Sequence, residues 1–415
     1  MEAIAYLYQY QIQAFVNSQL NEQAGVAYEW KGERVYHIFT EYPSIAPSGF
    51  PVTCVFRKLT NLTDFQQANE AFPQICELFF EQTGHKLGIC INLYIDGAGR
   101  VHKSGFVNDN GRTIELVLNY VPDRSELYTR SKGLLEVGAL EKKRVLIVGL
   151  GSGGASIAVE LAKAGVGNFE LIDFDRVELH NISRHIAGVN ELGRLKTNVV
   201  RDAILAKNPY AKVNTYDFDM NKELTIVDSL VQSSDIIIAA TDSLTSRYNL
   251  NSLIIKHKKT GLFGRAITRA EGGDVLRVRP GGPCYACLKG SQWYNNEDEI
   301  SDLQRARREG IIPAYTSEED AQAMVQVGLS TDIAPINTMV VKLAIQELSR
   351  NTDCMIASLD KELTYDYYIW ANRRESYYSN WAPFNNNPGR KSPTILQWYG
   401  VKFEKSRDCF ECRDY

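Results

Sequence analysis

The chain has 415 residues, 44% hydrophobic and 23% charged, a globular composition with material for two or three domains. Its formal net charge of -4 gives no basic excess, so nucleic acid is not an expected partner. The N-terminus "MEAIAYLYQYQIQ" has an early acid and no long apolar run, and no uncharged stretch reaches the ~18 residues of a membrane span, so no signal peptide or membrane partner is expected and the location reads as cytoplasmic.

The first 125 residues alternate apolar and polar positions in short runs. "MEAIAYLYQYQIQAFVNSQLNEQA" reads as an opening helix, and "VAYEWK", "RVYHIFTEY" and "FPVTCVFRK" as strands. "TDFQQANEAFPQICELFFEQTG" reads as a second helix, "LGICINLYIDGAGRVHKSGFV" as a hairpin turning at "DGAG", and "RTIELVLNYV" as a last strand. Together these predict a smaller α+β domain, mainly antiparallel, over residues 1–125.

From residue 126 to 415 the pattern changes to strands alternating with helices. "RVLIVG", "NFELIDFD", "KVNTYDFDM", "DIIIAA" and "GLFGRAI" are the strands; "GGASIAVELAKAG" and "LKTNVVRDAILAKN" are helices between the earlier ones. Such alternation predicts an α/β fold, a Rossmann-like and mostly parallel sheet covered on both faces. The pattern lapses into the charged "NNEDEISDLQRARREG", a crossover loop over about 291–319, and resumes as the apolar helix "APINTMVVKLAIQELSR". The tail reads as loop through "NWAPFNNNPGRKSP" up to a final CxxC.

Gly149, Gly151 and Gly154 form GxGxxG directly after a strand and open a helix. Without side chains such a turn is tight, and its N–H groups approach a phosphate at the helix N-terminus. Asp173 follows about 20 residues on, where an acid takes ribose hydroxyls. Both features suit NAD and ATP equally. The continuation separates them: Asp175, Asn181, Arg184 and Lys196 crowd the segment after that strand. A dinucleotide carries charge only on its pyrophosphate, whereas breaking a triphosphate accumulates negative charge that fixed cations must meet. Asp242, at the end of another parallel strand in "AATDSLTSRYN", adds a carboxylate suited to a magnesium ion. Taken singly, each charge also reads as a solvated surface residue.

The order GxGxxG, DxD, N-x-x-R, G-x-x-K, T-D resembles the ThiF/MoeB/HesA family, from about Tyr128 to the C-terminus. That family includes the ubiquitin-activating enzymes and the peptide-adenylating enzyme of microcin C maturation. The resemblance implies that Gly149, Gly151 and Gly154 form the nucleotide turn and Asp173 holds the ribose. It implies that Asn181, Arg184 and Lys196 hold the phosphates and that Asp242 binds magnesium. "LYTRSKGLLEVGALEKKRV" is similar to the family's lead-in, which implies a homodimer with Arg130 reaching into the partner's ATP site. The leading arginine of that motif is Leu127 here, and the glutamine after its second arginine is Ser131. In the later loop "NLxRQ" becomes "NISRH", with His185 as a structural replacement rather than a general base.

The chain has 8 cysteines. Two CxxC pairs, Cys284 with Cys287 and Cys409 with Cys412, have metal-site spacing and match a second family feature, a closed four-thiolate structural zinc. The alternative is four free thiols. Cys54, Cys76 and Cys90 fall inside apparent strands or a helix and read as core. The crossover loop has no cysteine; Cys354, just beyond the following helix, is a weak candidate to capture an acyl group.

The resemblance implies adenylation of a C-terminal carboxylate on a ubiquitin-like or sulfur-carrier protein, with ATP consumed, magnesium as the bound metal and pyrophosphate released. Transfer to a thiol or to a conjugating enzyme would follow. The alternative is modification of a small peptide, as in microcin C maturation; an NAD-dependent oxidoreductase ranks below both. The first domain would recognise the substrate or partner.

Overall fold

The computed structural model describes residues 2–30, 32–43, 49–121, 124–267, 270, 272–291, 328–372 and 395–414. Two compact units divide the chain, Met1–Thr129 and Arg130–Tyr415.

The first unit is a closed barrel of seven strands: β1 (Ala3–Tyr8), β2 (Glu22–Trp30), β3 (Val35–Phe39), β4 (Phe50–Leu59), β5 (Ile89–Ile95), β6 (Val101–Asp109) and β7 (Arg112–Val121). Their order is β1-β3-β2-β4-β5-β6-β7, and parallel pairing of β1 with β7 closes the ring. Ala5, Leu7, Ile38, Phe56, Ile91 and Leu93 fill the interior, where closure leaves no sheet edge to protect. Ile12 and Phe15 of the helix Gln9–Asn17 bury into the same core. The helix Ala68–Thr83 lays Ala68 and Phe72 against Val55, Cys90 and Phe106 on the outer wall.

The opening residues are not a helix throughout. Ala3, Ala5 and Leu7 point inward with intermediate residues between them, so "AIAYLY" has strand period and forms β1. No turn residue separates Tyr8 from Gln9, and the two periods merge when read as sequence. The "DGAG" hairpin forms as expected: the Asp96 carboxylate accepts from the Ala98 and Arg100 N–H groups and fixes the turn between β5 and β6.

The second unit is built on an eight-stranded sheet: β8 (Arg144–Val148), β9 (Asn168–Ile172), β10 (Lys212–Tyr216), β11 (Ile236–Ala239), β12 (Thr260–Ala266), β13 (Gly272–Val278), β14 (Tyr367–Ala371) and β15 (Gln397–Val401). The order is β10-β9-β8-β11-β12-β13-β14-β15, parallel from β10 to β12 and antiparallel beyond. The α/β, mostly parallel sheet read from the sequence is this arrangement. The helices Ser152–Lys163 and Ser330–Leu348 pack on one face and Leu224–Ser233 and Leu244–Lys256 on the other, each burying an apolar stripe against fully buried strands.

The antiparallel extension was not foreseen. "QWYGV" is β15 rather than loop, paired with β14 from Tyr367↔Val401 to Ala371↔Gln397. The crossover loop beyond Ser291 and the "NWAPFNNNPGRKSP" stretch lie outside the described residues.

Candidate nucleotide site and cysteine cluster

From β8 the chain proceeds to β9 and β10 on one side of the sheet, then returns to β11 on the other side of β8. The crevice at the carboxyl ends of β8 and β11 is therefore a topological switch point, where open α/β sheets bind ligands. Gly149 leaves β8 with φ +87°, and a Cβ there would stand 2.8 Å from the Ala240 carbonyl oxygen at the end of β11. A Cβ on Gly154 would stand 1.9 Å from the Gly149 oxygen, so only glycine lets the helix start against the turn. At Gly151 the space a side chain would take is open. Gly151 caps the helix Ser152–Lys163 without a side-chain bond, which leaves first-turn N–H groups facing that space, a fit for a phosphate.

Asp173, just past β9, shapes this turn. Its carboxylate accepts from Leu150 N–H at 2.6 Å and from Asp175 N–H at 2.8 Å. Burial pushes its carboxyl above the usual range, against the pull of those two N–H groups and of Lys196. Lys196 opens the helix Lys196–Lys207, is itself buried, and donates to Asp175 at 2.8 Å, while its backbone N–H bonds the Asp175 carbonyl. Thr197 beside it bonds Asp217 at the end of β10.

Asn181 is used locally: its side-chain oxygen accepts from Glu178 N–H and its carbonyl from Arg184 and His185 N–H. Arg184 is half-buried at a cleft shared with Ser152 and Ser156 of one helix and Ser330, Ile333 and Asn337 of the other. His185 is buried, joined at Nε2 to the Leu150 carbonyl and at Nδ1 to the Ala187 N–H. Both ring nitrogens are thus committed to the backbone, and neither is free to take a proton from a substrate.

Asp242 is exposed one residue before Ser243, which caps the helix Leu244–Lys256 by accepting from Ser246 N–H. The sequence reading missed Arg247. It is buried, and its Nε donates to the Thr241 carbonyl at 2.9 Å, bracing the loop that carries Asp242. The one signal was an arginine in the first turn and a half of a helix that otherwise buries neutral side chains. Arg130 is exposed in the short turn Thr129–Ser131.

The two CxxC pairs meet. Cys284 Sγ lies 3.8 Å from Cys287 and 3.7 Å from Cys409, and Cys287 lies 3.4 Å from Cys412, with all four buried. Tetrahedral zinc with Zn–S of about 2.3 Å needs sulfurs about 3.8 Å apart, so the cluster fits that ion. The Ser406 N–H points at Cys287 Sγ, a donor suited to a thiolate. Hydrogen bonding between the first pair pushes the Cys284 thiol up and pulls the Cys287 thiol down.

Cys354 follows the C-terminal end of the helix Ser330–Leu348, whose N-terminal half lines the Arg184 cleft as far as Thr338. Burial raises its thiol, but bonds from Thr352 and from the Ala357, Glu136 and Ile356 backbone outweigh this and lower it. Cys54 and Cys90 are buried in β4 and β5, and Cys76 is half-buried on its helix.

The glycine turn and the buried lysine lie at this crevice, and the sequence matches the ThiF family over residues 128–372. The chain belongs to the ThiF family. It is 31% identical to the molybdopterin-synthase adenylyltransferase of Escherichia coli (strain K12) over 223 residues, 52% of this chain and 88% of that one. It is 32% identical over 167 residues to the adenylyltransferase and sulfurtransferase MOCS3 of Culex quinquefasciatus, 39% of this chain but only 37% of that longer protein. A crystal structure of E. coli MccB with MccA-N7isoASN superposes with a TM-score of 0.46 at 18% identity, covering 66% of this chain and 69% of that chain. Residues before 128 lie outside the family match.

Proposed function

We propose that this ThiF-family chain is an ATP-dependent adenylyltransferase that activates the C-terminal carboxylate of a ubiquitin-like or sulfur-carrier protein. The observation that carries the reading is the buried Lys196 fixed beside a glycine turn whose helix N-terminus is uncapped. A carboxylate oxygen attacks the α-phosphorus, the bond from that phosphorus to the bridging oxygen breaks, and pyrophosphate leaves with the electron pair. The acyl-adenylate stays behind. No side-chain nucleophile takes part, and the site acts by alignment and by charges placed in advance.

In this reading the first-turn N–H groups after Gly151 and the cations Arg184 and Lys196 meet the phosphates, with Asn181 shaping their loop. Gly149 and Gly154 let the backbone close in, and Asp173 and Asp175 bound the ribose side. Asp242 holds magnesium, which when bound neutralises phosphate charge. Arg130 of a second copy completes the site in a homodimer. The barrel of the first unit recognises the carrier or its acceptor, and a conjugating enzyme or another thiol takes the acyl group. Relatives named as adenylyltransferases, one of them for molybdopterin synthase, support both the reaction and a protein substrate.

The test is ATP–pyrophosphate exchange with small glycine-terminated carrier proteins. Exchange that needs the carrier's C-terminus and is lost in Asp242→Ala supports the reading; no exchange with any carrier, or exchange untouched by that change, sinks it. Mass spectrometry of the product separates a carrier adenylate or thioester from a nucleotide retained on a small peptide.

A further inference from the structure

Leu150 stands between Gly149 and Gly151, and both of its peptide groups are held from outside the turn. Its N–H donates to Asp173 at 2.6 Å. Its carbonyl lies 2.8 Å from His185 Nε2, and His185 Nδ1 lies 3.0 Å from the Ala187 N–H. A carbonyl only accepts and an N–H only donates, so these partners fix the tautomer: Nε2 carries the proton and Nδ1 does not. The imidazole is neutral and has no other state that satisfies both neighbours.

The peptide joining Leu150 to Gly151 is planar and trans, so its C=O and N–H point in opposite directions. Pinning the Leu150 oxygen on His185 therefore aims the Gly151 N–H away from the imidazole. Gly151 has open space where a side chain would be, and among the described residues its N–H meets no acceptor.

We propose that His185 is a positioning residue for the nucleotide, aiming the Gly151 N–H at a phosphate through the Leu150 carbonyl, and that it does so only while uncharged. A proton on Nδ1 would face the Ala187 N–H donor to donor, and the ring would turn away or pull the loop with it. The charged groups acting on the ring are Asp173 at the end of β9 and Glu191 of the turn Val189–Glu191, which favour the proton, and Lys196, which opposes it. Burial also opposes it and prevails. The inference rests on the ATP-binding reading above.

The test is equilibrium binding of ATP with magnesium to the full chain from about pH 7.5 down to about pH 5, the acid end of the histidine range, because burial lowers the pH at which the folded ring takes its proton. Wild type, His185→Gln and His185→Ala are compared, each first shown by its melting transition to be folded. Glutamine offers a donor and an acceptor but does not titrate. Wild-type affinity is expected to fall about fivefold on acidification, the worth of one neutral hydrogen bond. His185→Gln is expected to escape that added loss, so that its affinity relative to wild type rises on acidification, and to bind more tightly than His185→Ala. Protonation of ATP itself is common to all three proteins and cancels. If His185→Gln weakens in parallel with wild type, the inference is overturned while the ATP site stands. If wild type binds no ATP at neutral pH, the adenylation reading falls, and this inference with it. Should His185→Ala fail to fold, the two pH profiles of wild type and His185→Gln decide alone.

Discussion

The Lys196 ammonium lies 2.8 Å from the Asp175 carboxylate, with the lysine side chain 11% exposed and the acid 49% exposed. The acid keeps the lysine in place before any phosphate arrives, and its own exposure keeps it solvated if the lysine is removed. Lys196→Met is therefore expected to lower ATP–pyrophosphate exchange by about 100-fold or more, the scale of losing a preorganised charge. Melting should shift by only a few degrees, since no buried carboxylate is orphaned. A loss of exchange matched by a loss of the folded fraction would contradict this.

Gly154 has no room for even one carbon, because its Cβ would meet the Gly149 oxygen at 1.9 Å. Gly154→Ala must push the helix from the turn. It is expected to cost about 1–3 kcal/mol of stability, as overpacking does, and to abolish ATP binding at concentrations that saturate wild type. Gly151→Ala, where space is open, should fold like wild type, and the comparison by calorimetry and nucleotide titration separates steric closure from general loss of glycine.

The two units were legible in different degrees. In the sheet from β8 to β11 each strand is a short apolar run with a helix before the next strand, β12 ends the parallel series, and local pattern sufficed. The motif residues around β8 and β9 meet at one edge for the same reason, since each follows its strand at a fixed offset. β13 to β15 escaped because they are antiparallel neighbours set by pairing between distant segments, Gly272 with Ala371 and Gln397 with that same Ala371. Barrel closure escaped for a similar reason, as β1–β7 pairing joins the two ends of its unit. Arg247 escaped because its partners are backbone carbonyls of Thr241 and Gly264, which leave no mark on composition.

Cys354→Ala should leave exchange, and any thioester that the protein forms, within about twofold of wild type. The thiol follows the C-terminal end of the helix Ser330–Leu348, whereas the Arg184 cleft is lined by the other half of that helix, as far as Thr338. A labelled acyl group recovered on Cys354 after digestion would show that expectation to be wrong.

Burial holds the His185 imidazole below its ordinary range, so the unfolded chain takes up a proton that the folded chain resists. Stability from this group is complete above the unfolded value of about 6.5 and declines as pH falls through it toward the folded value. Asp173 acts in the opposite sense: its raised carboxyl takes a proton in the folded state first, which favours folding as pH falls further into the carboxylate range. Melting temperature is thus expected to drop between about pH 7 and about pH 5.5, and to drop less in His185→Gln. Parallel melting curves for the two proteins would refute it.

The cysteine cluster is expected to hold about one zinc per chain by elemental analysis. Cys409→Ser, or a strong chelator, should release the metal and expose the segment after β15 to protease while β8 to β12 keep their far-ultraviolet signature. A wild-type chain that purifies metal-free and equally resistant would remove the metal from the account.

Cys284 and Cys409 are 125 positions apart, and a zinc ion shared between them would turn the intervening chain into a ring. The helix Ser330–Leu348, whose first turn lines the Arg184 cleft, would be carried on that ring rather than on a free end. With zinc bound there, a backbone cut between Cys287 and Cys409 would leave two fragments still tied through the thiolates. With zinc bound, the thiolates would add a tie to the β13–β14 pairing and the core packing that already hold the two pieces together.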